Sequence, residues 1–102
     1  MTTSTTTVEQ VPATRWQEWL AETGGVLLDV REPLEWAQGT LPGSTLLQMS
    51  GMPGNLGELD PTRPVLVVCR SGNRSQIVAR YLAEQGFRAA NLVGGLVALG
   101  LA

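Results

Sequence analysis

The sequence predicts an α/β fold, a three-layer domain in which helices pack on both sides of a parallel sheet. Two continuous apolar runs, at residues 26–30 and 65–68, have the composition of strands that are buried on both faces. Segments in which apolar residues recur at helical spacing lie next to these runs. The 102 residues suffice for one such domain and leave no room for a second.

The chain begins with a threonine-rich stretch that shows no hydrophobic periodicity. We therefore predict a disordered lead over residues 1–11 and a folded domain over residues 12–102. The domain opens with Trp16, Trp19 and Leu20, whose three- and four-residue spacing predicts the apolar face of a short helix. Two adjacent glycines then end this helix.

The first apolar run, residues 26–30, is predicted to be a strand, and a short helix with Pro33 at its first position follows to about residue 38. Many glycines and prolines lie in the next segment, so loops and turns are expected there. Residues 44–48 are the one strand that this segment predicts.

The second apolar run, residues 65–68, is predicted to be another buried strand, which ends at Cys69. A helix is expected from Arg74 to about residue 85, because its apolar residues recur at helical spacing. These residues are Ile77, Val78, Tyr81 and Leu82. A last strand over residues 89–93 leads to a pair of glycines, Gly94 and Gly95, which we expect to form a tight turn close to the cysteine loop, and then to a short helical tail.

Composition excludes several classes of function. Seven scattered arginines are outnumbered by nine acidic residues, so nucleic acid is not an expected partner. With one cysteine and no histidine, the chain can form no intrachain disulfide, no zinc, iron or copper cluster and no histidine-dependent catalytic pair or triad. A nucleophile in this chain must therefore be activated by other groups.

Localisation is predicted from features that the sequence lacks. The first eleven residues have neither the positive nor the apolar region of a secretory signal, and no apolar stretch is long enough to span a membrane. A lone free cysteine is also typical of a reducing compartment. We therefore expect a cytoplasmic protein with no membrane partner.

Cys69 stands where open α/β sheets place their ligands, at the carboxyl end of a buried strand and just ahead of a helix. The short loop at residues 70–73 contains glycine and small polar residues, which allow successive backbone N–H groups to turn towards the sulfur. Arg70 and Arg74 lie on either side and add positive charge. We expect these groups to stabilise the thiolate and to lower the pKa of Cys69 from about 8.5 towards or below 7.

Three blocks of the sequence resemble a known family. They are LLDVREPLEWAQGTLPGS at 27–44, VLVVCRSGNRSQIVARYLAEQGF at 65–87 and NLVGGLVAL at 91–99. Over residues 12–102 the chain resembles the single-domain rhodaneses, which are sulfurtransferases. The resemblance implies a mainly parallel five-stranded sheet flanked by helices, and a catalytic cysteine, Cys69, that accepts a sulfane sulfur as a persulfide.

The resemblance also implies roles for other residues. A substrate-binding cradle around the cysteine is implied for Arg70, Ser71, Gly72, Asn73, Arg74 and Ser75. Asp29, Arg31 and Glu35 match the family's second signature, and we expect them to form a structural ion-pair network that supports the sheet edge and neighbouring loops. No metal or other cofactor is implied.

The function implied is transfer of sulfur from a donor such as thiosulfate or a persulfide to a thiol, to cyanide or to a sulfur-carrier protein. One alternative is a non-enzymatic module that carries sulfur or binds a protein partner. Another is a phosphatase or arsenate reductase with a related cysteine cradle. Those enzymes have five residues between the nucleophile and the arginine, whereas this chain has four, residues 70–73. The smaller ring of N–H donors favours a single sulfur atom over a phosphoryl group.

Overall fold

Five short strands form one sheet in the computed structural model, which describes residues 7–102. The strands are β1 (Glu9–Val11), β2 (Val26–Asp29), β3 (Thr45–Leu46), β4 (Val65–Val68) and β5 (Ala89–Leu92). Their order across the sheet is β1-β5-β4-β2-β3, and every pair of neighbours is parallel. The predicted parallel α/β architecture is confirmed.

The α-helices of the described chain are α1 (Trp16–Thr23), α2 (Pro33–Trp36), α3 (Asn73–Glu84) and α4 (Gly95–Ala98). Short 3-10 turns lie at Ala13–Arg15, Met49–Gly51 and Leu56–Glu58. The longest helix, α3, has 12 residues, and none of the helices within residues 7–102 combines the length and apolarity that a bilayer span requires.

Side chains on opposite faces of the sheet enter two separate hydrophobic clusters. In β4, Val65 and Val67 belong to the cluster that α3 covers, and Leu66 and Val68 belong to the other, because side chains alternate along a strand. The second cluster is covered by residues of α1 and α4. Cys69 is part of the first cluster, so it lies on the face of the sheet that α3 covers.

The predicted disordered lead over residues 1–11 is wrong for its last three residues, because Glu9–Val11 form β1 at the edge of the sheet. Three residues are too few to show strand periodicity, and pairing with β5 stabilises this strand. The carboxylate of Glu9 also accepts hydrogen bonds from Arg88 at 2.8 and 3.0 Å. Residues 1–6, the rest of the predicted lead, lie outside the described residues.

Several predicted boundaries differ from the structure by a few residues. The strand predicted over residues 44–48 is only Thr45–Leu46, and the helix predicted to about residue 38 ends at Trp36. Helix α3 begins one residue earlier than predicted, since Gly72 takes its N-cap position. Such ends depend on a few hydrogen bonds with neighbouring segments, which hydrophobic periodicity does not report.

Candidate active site

Cys69 follows the last residue of β4 and begins the turn that leads to α3. All four residues of β4 are buried, which anchors the base of this turn in the sheet. Gly72 has a φ of 96°, a left-handed conformation that residues with a side chain rarely adopt. This glycine lets the chain fold back over the sulfur before α3 begins.

The sulfur of Cys69 accepts hydrogen bonds from the loop and from the first turn of α3. The N–H groups of Gly72 and Ser75 lie 3.1 and 3.3 Å from Sγ, and the Ser75 hydroxyl oxygen lies 3.3 Å from it. Cys69 is only 1% exposed, so these groups replace water around the sulfur. The structure therefore brings the predicted backbone donors together at Cys69.

Two opposing effects act on the pKa of Cys69. Burial raises the pKa of the thiol, whereas the hydrogen bond with the Ser75 hydroxyl and those from the N–H groups of Ser75, Gly72 and Ser71 lower it, and the resulting pKa lies below the ordinary value. A lowered pKa makes the nucleophilic thiolate more abundant at neutral pH. The expected direction is found, and hydrogen bonds are its main cause.

The turn after β5 holds the cysteine loop from the outside. The N–H groups of Leu96 and Val97 donate to the carbonyls of Cys69 and Arg70 at 3.0 and 2.9 Å. A trans peptide directs its N–H away from its C=O, so these bonds fix the direction of the N–H groups of Arg70 and Ser71, and the Ser71 N–H is among the groups that lower the pKa of Cys69. Gly95 permits the approach, since a Cβ at its position, where φ is 58°, would lie 2.6 Å from the carbonyl oxygen of Arg70. The expected contact between this glycine turn and the cysteine loop is present.

The guanidinium of Arg74 is bound by a carboxylate. Its two terminal nitrogens donate to the two oxygens of Glu35 at 2.6 and 2.8 Å. This bonding raises the pKa of Arg74 and, despite the opposing effect of burial, lowers the pKa of Glu35 from its ordinary value of 4.5 to about 2. Attraction to Cys69 makes a smaller contribution to the raised pKa of Arg74. The positive charge of Arg74 is therefore compensated by Glu35, unlike the free cation beside the sulfur that the sequence suggests.

The remaining side chains of the loop lie at the surface. Arg70, Ser71 and Asn73 are exposed, and Arg70 forms no ion pair within the part of the chain that the structure describes. Ser71 and Asn73 border a groove of about 470 Å³ that also includes Gln76. Arg70 is thus available to an anion that approaches the loop.

Asp29, the last residue of β2, and Arg31 form a buried ion pair, with exposures of 0% and 5%. Nε and Nη2 of Arg31 donate to the carboxylate of Asp29 at 2.9 to 3.1 Å. Arg31 also donates to the carbonyls of Gly39 at 2.7 Å and Glu35 at 3.4 Å. The pair ties the segment after β2 to the sheet. The carboxylate of Glu35, which the sequence groups with these two residues, is bound to Arg74 instead.

Asn91 and Gln10 are connected to the sulfur by hydrogen bonds through Ser75, and neither is among the predicted site residues. The Ser75 hydroxyl donates to Oδ1 of Asn91 at 2.6 Å, and Nδ2 of Asn91 donates to Gln10 at 3.2 Å. The sequence offers one signal for Asn91, a polar residue within the otherwise apolar strand Ala89–Leu92, because a buried polar side chain needs partners. Gln10 lies in the stretch that was predicted to be disordered, so no pattern identifies it.

Comparison with known proteins supports the family suggested by the sequence blocks. The family model of the Rhodanese-like domain matches residues 13–101. The chain belongs to this family. A sulfurtransferase of Allochromatium vinosum is 40% identical to this rhodanese-like domain over 93 residues, which are 89% of this chain and 87% of that protein. The thiosulfate sulfurtransferase GlpE of Pseudomonas syringae is 41% identical over 68 residues, 67% of this chain and 64% of that protein.

Solved structures of rhodanese-like domains share the fold. The Rhodanese-like domain protein from Staphylococcus aureus matches with a TM-score of 0.80 and 32% identity, over 89% of this chain and 90% of that chain. The CoADR-RHD protein of Bacillus anthracis gives a TM-score of 0.83 at 32% identity, over 92% of this chain and 17% of that longer chain. The resemblance drawn from the sequence is confirmed for both the family and the fold.

Proposed function

We propose that this rhodanese-like domain is a sulfurtransferase that carries a sulfane sulfur on Cys69. The observation that supports this most directly is the surroundings of Sγ: the N–H groups of Gly72 and Ser75 donate to it at 3.1 and 3.3 Å, and the Ser75 hydroxyl lies within hydrogen-bond distance at 3.3 Å. Fixed donors around a buried sulfur favour its anionic form, which is the nucleophile in sulfur transfer. The names of the relatives support the same class of reaction.

In the first half-reaction, the Cys69 thiolate attacks the outer sulfur of a donor such as thiosulfate. The S–S bond of the donor breaks, sulfite leaves with the electron pair, and a persulfide remains on Cys69. Its terminal sulfur carries the negative charge about 2 Å beyond Sγ. The N–H groups of Gly72 and Ser75, which face Sγ at 3.1 and 3.3 Å, stabilise this charge.

In the second half-reaction, an acceptor nucleophile such as a thiolate or cyanide attacks the terminal sulfur, and Cys69 leaves as a thiolate. The low pKa of Cys69 assists this step, because a thiol of lower pKa is a better leaving group. In the first half-reaction, Arg70, which is exposed on the loop, attracts the anionic sulfur donor. Electrons balance within each step, so the reaction as written uses no metal or organic cofactor.

Mass spectrometry of the intact protein after treatment with thiosulfate tests this proposal. We expect a gain of one sulfur atom on Cys69, which cyanide removes with repeated formation of thiocyanate. Cys69→Ala should show neither the adduct nor turnover. Arg80→Gln changes an exposed arginine of α3 and should behave as the wild type. A folded protein that gains no sulfur, or a Cys69→Ala variant that keeps turnover, contradicts the proposal.

The same assays separate the alternative functions. A non-enzymatic sulfur carrier gains one sulfur on Cys69 and releases it without repeated turnover. A phosphatase hydrolyses an aryl phosphate, and the four residues between Cys69 and Arg74 disfavour this reaction. We therefore expect more than one thiocyanate per protein molecule and no release of phosphate from the aryl ester.

A further inference from the structure

A chain of hydrogen bonds leads from the sulfur of Cys69 to the protein surface. The Ser75 hydroxyl, 3.3 Å from Sγ, donates to Oδ1 of Asn91 at 2.6 Å. Nδ2 of Asn91 donates to Oε1 of Gln10 at 3.2 Å, and Nε2 of Gln10 donates to Oε1 of Gln76 at 2.8 Å. Ser75 and Asn91 are buried, Gln76 is half-buried and Gln10 is exposed. The chain thus connects a buried sulfur with solvent.

The Ser75 hydroxyl has a single proton, which limits the bonds it can make at one time. In the observed arrangement this proton goes to Asn91, so the Ser75 oxygen can only accept a hydrogen bond from the Cys69 thiol. A thiolate has no proton to donate and is stabilised when Ser75 donates to it. If the hydroxyl turned alone, Oδ1 of Asn91 would be buried without a donor, which is unfavourable.

If every hydrogen bond in this series reverses its direction, Ser75 can donate to the thiolate without leaving Asn91 unpaired. An amide has donors at one end and an acceptor at the other, so a half-turn of Asn91 directs Nδ2 to the Ser75 oxygen and Oδ1 to Gln10. Half-turns of Gln10 and Gln76 then restore the remaining bonds in the opposite sense. Only the 3.3 Å bond from Gln10 to the Val8 carbonyl is lost, at an exposed position where water replaces it.

We propose that Asn91 is a positioning residue for Cys69, whose amide, relayed by Gln10 and Gln76, sets whether the Ser75 hydroxyl accepts from a thiol or donates to a thiolate. This inference rests on the proposed function, in which Cys69 reacts as a thiolate. It follows that Gln76, at the surface, influences a sulfur that lies three hydrogen-bonding side chains away.

The charged groups around the loop are not members of this chain of bonds. They are Arg70 on the loop, Arg74 with Glu35, the Asp29–Arg31 pair at the end of β2, and Glu9 with Arg88 at β1. All of them stay in place in the variants described next. Differences among those variants therefore come from residue 76 and from the direction of the amide chain.

Two substitutions of Gln76 set the donor-to-acceptor direction of the hydrogen-bond chain from its surface end. Gln76→Glu can only accept from Gln10, which keeps the observed direction, in which the Ser75 hydroxyl donates to Asn91. Gln76→Lys can only donate, which favours the reversed chain and directs the Ser75 proton to the sulfur. We expect the apparent pKa of Cys69, measured by ultraviolet thiolate absorbance, to be higher in Gln76→Glu than in Gln76→Lys. At a pH below both apparent pKa values, Gln76→Lys should therefore react with iodoacetamide about tenfold faster than Gln76→Glu.

Glutamate and lysine also differ in charge, and Gln10→Leu separates that effect from the relay. Leucine fills the side-chain space at residue 10 but interrupts the series of hydrogen bonds. A direct effect of the charge at residue 76 on the pKa of Cys69 then persists, whereas an effect relayed through the hydrogen bonds is lost. In the Gln10→Leu background, we expect the tenfold difference to shrink to about twofold. The proposal is overturned if the rate difference between the two Gln76 variants is undiminished in the Gln10→Leu background. It is also overturned if the two variants react at the same rate when Gln10 is present.

The experiment is independent of sulfur transfer. Cys69 is the only cysteine, so alkylation and thiolate absorbance report on this sulfur alone and need neither donor nor acceptor. A protein that forms no persulfide contradicts the proposed function but leaves the Gln76 comparison valid. A protein that forms the persulfide and shows equal reactivity in both Gln76 variants overturns the relay alone.

Discussion

Arg74, in the first turn of α3, makes a double hydrogen bond with the carboxylate of Glu35 on α2, at 2.6 and 2.8 Å. The pair joins the helix that begins at the cysteine loop to the segment that follows β2. A cation in the first turn of a helix opposes the helix dipole, and the carboxylate compensates for it. The start of α3 is thereby held in place beside Cys69 without an uncompensated charge.

We expect this pair to make the stability of the protein depend on pH in the acid range. Arg74 lowers the pKa of Glu35 in the folded state from 4.5 to about 2, so the stabilisation is complete above about pH 4.5 and is lost as the pH falls through about 2. The side chains of Arg74 and Glu35 are 35% and 30% exposed, and solvent screening limits the effect to about 1 kcal/mol. Urea unfolding of the wild type and Glu35→Gln across this pH range measures it.

The two proteins should differ in unfolding free energy at neutral pH and converge at the acid end. Glu58→Gln is the matched control, because Glu58 is exposed and forms no ion pair within residues 7–102. It should follow the wild type throughout. A Glu35→Gln deficit that stays constant with pH would show that the pair does not act as described.

Ser75→Ala should make Cys69 less reactive near neutral pH. The hydroxyl of Ser75 is the largest of the contributions that lower the pKa of Cys69. Its removal should raise that pKa and reduce the alkylation rate about tenfold at a pH below it. The pH profile of iodoacetamide reaction checks this. Ser44→Ala, which removes a hydroxyl that donates to the Leu41 carbonyl, should leave the profile unchanged, and an unchanged Ser75→Ala profile refutes the expectation.

Gly95→Ala should destabilise the protein by about 2–4 kcal/mol. A Cβ there would lie 2.6 Å from the Arg70 carbonyl oxygen, and the φ of 58° is unfavourable for alanine. Relief of this contact would displace the carbonyls that α4 holds, so the Cys69 pKa should rise in any molecule that folds. The urea midpoint and thiolate absorbance measure both effects. Gly57→Ala is the control, because a Cβ at Gly57 meets no atom within 4 Å, and equal midpoints for the two variants would contradict the argument.

Asp29→Asn should cost about 3 kcal/mol of unfolding free energy, because it leaves the guanidinium of Arg31 buried without its carboxylate. By contrast, Glu18→Gln breaks an exposed pair with Arg15 and should cost at most about 0.5 kcal/mol. Chemical denaturation compares the two variants. Sulfur uptake per folded molecule should remain in Asp29→Asn if the pair is structural, and its complete loss in folded protein would indicate a direct role at the site.

The strand, loop and helix around Cys69 are predictable because their signals are local. A continuous apolar run, a glycine in the turn and apolar residues at helical spacing follow one another between residues 65 and 85. The lowered pKa of Cys69 is also predictable in direction, since backbone N–H groups at a helix start favour an anion. The largest of the contributions that lower this pKa, the hydrogen bond with the Ser75 hydroxyl, requires knowledge of how the first turn of α3 is rotated against the sulfur.

Other features depend on segments that are distant in the chain. Glu35 and Arg74 are 39 residues apart, and Gln10 and Asn91 are 81 residues apart. Residue order along the chain specified the local elements, because period and turn composition act over a few residues. The partners of Arg74 and Asn91, and the existence of β1, follow from the strand order β1-β5-β4-β2-β3. That order is settled by which buried faces pack together, and neither period nor spacing within one segment contains it.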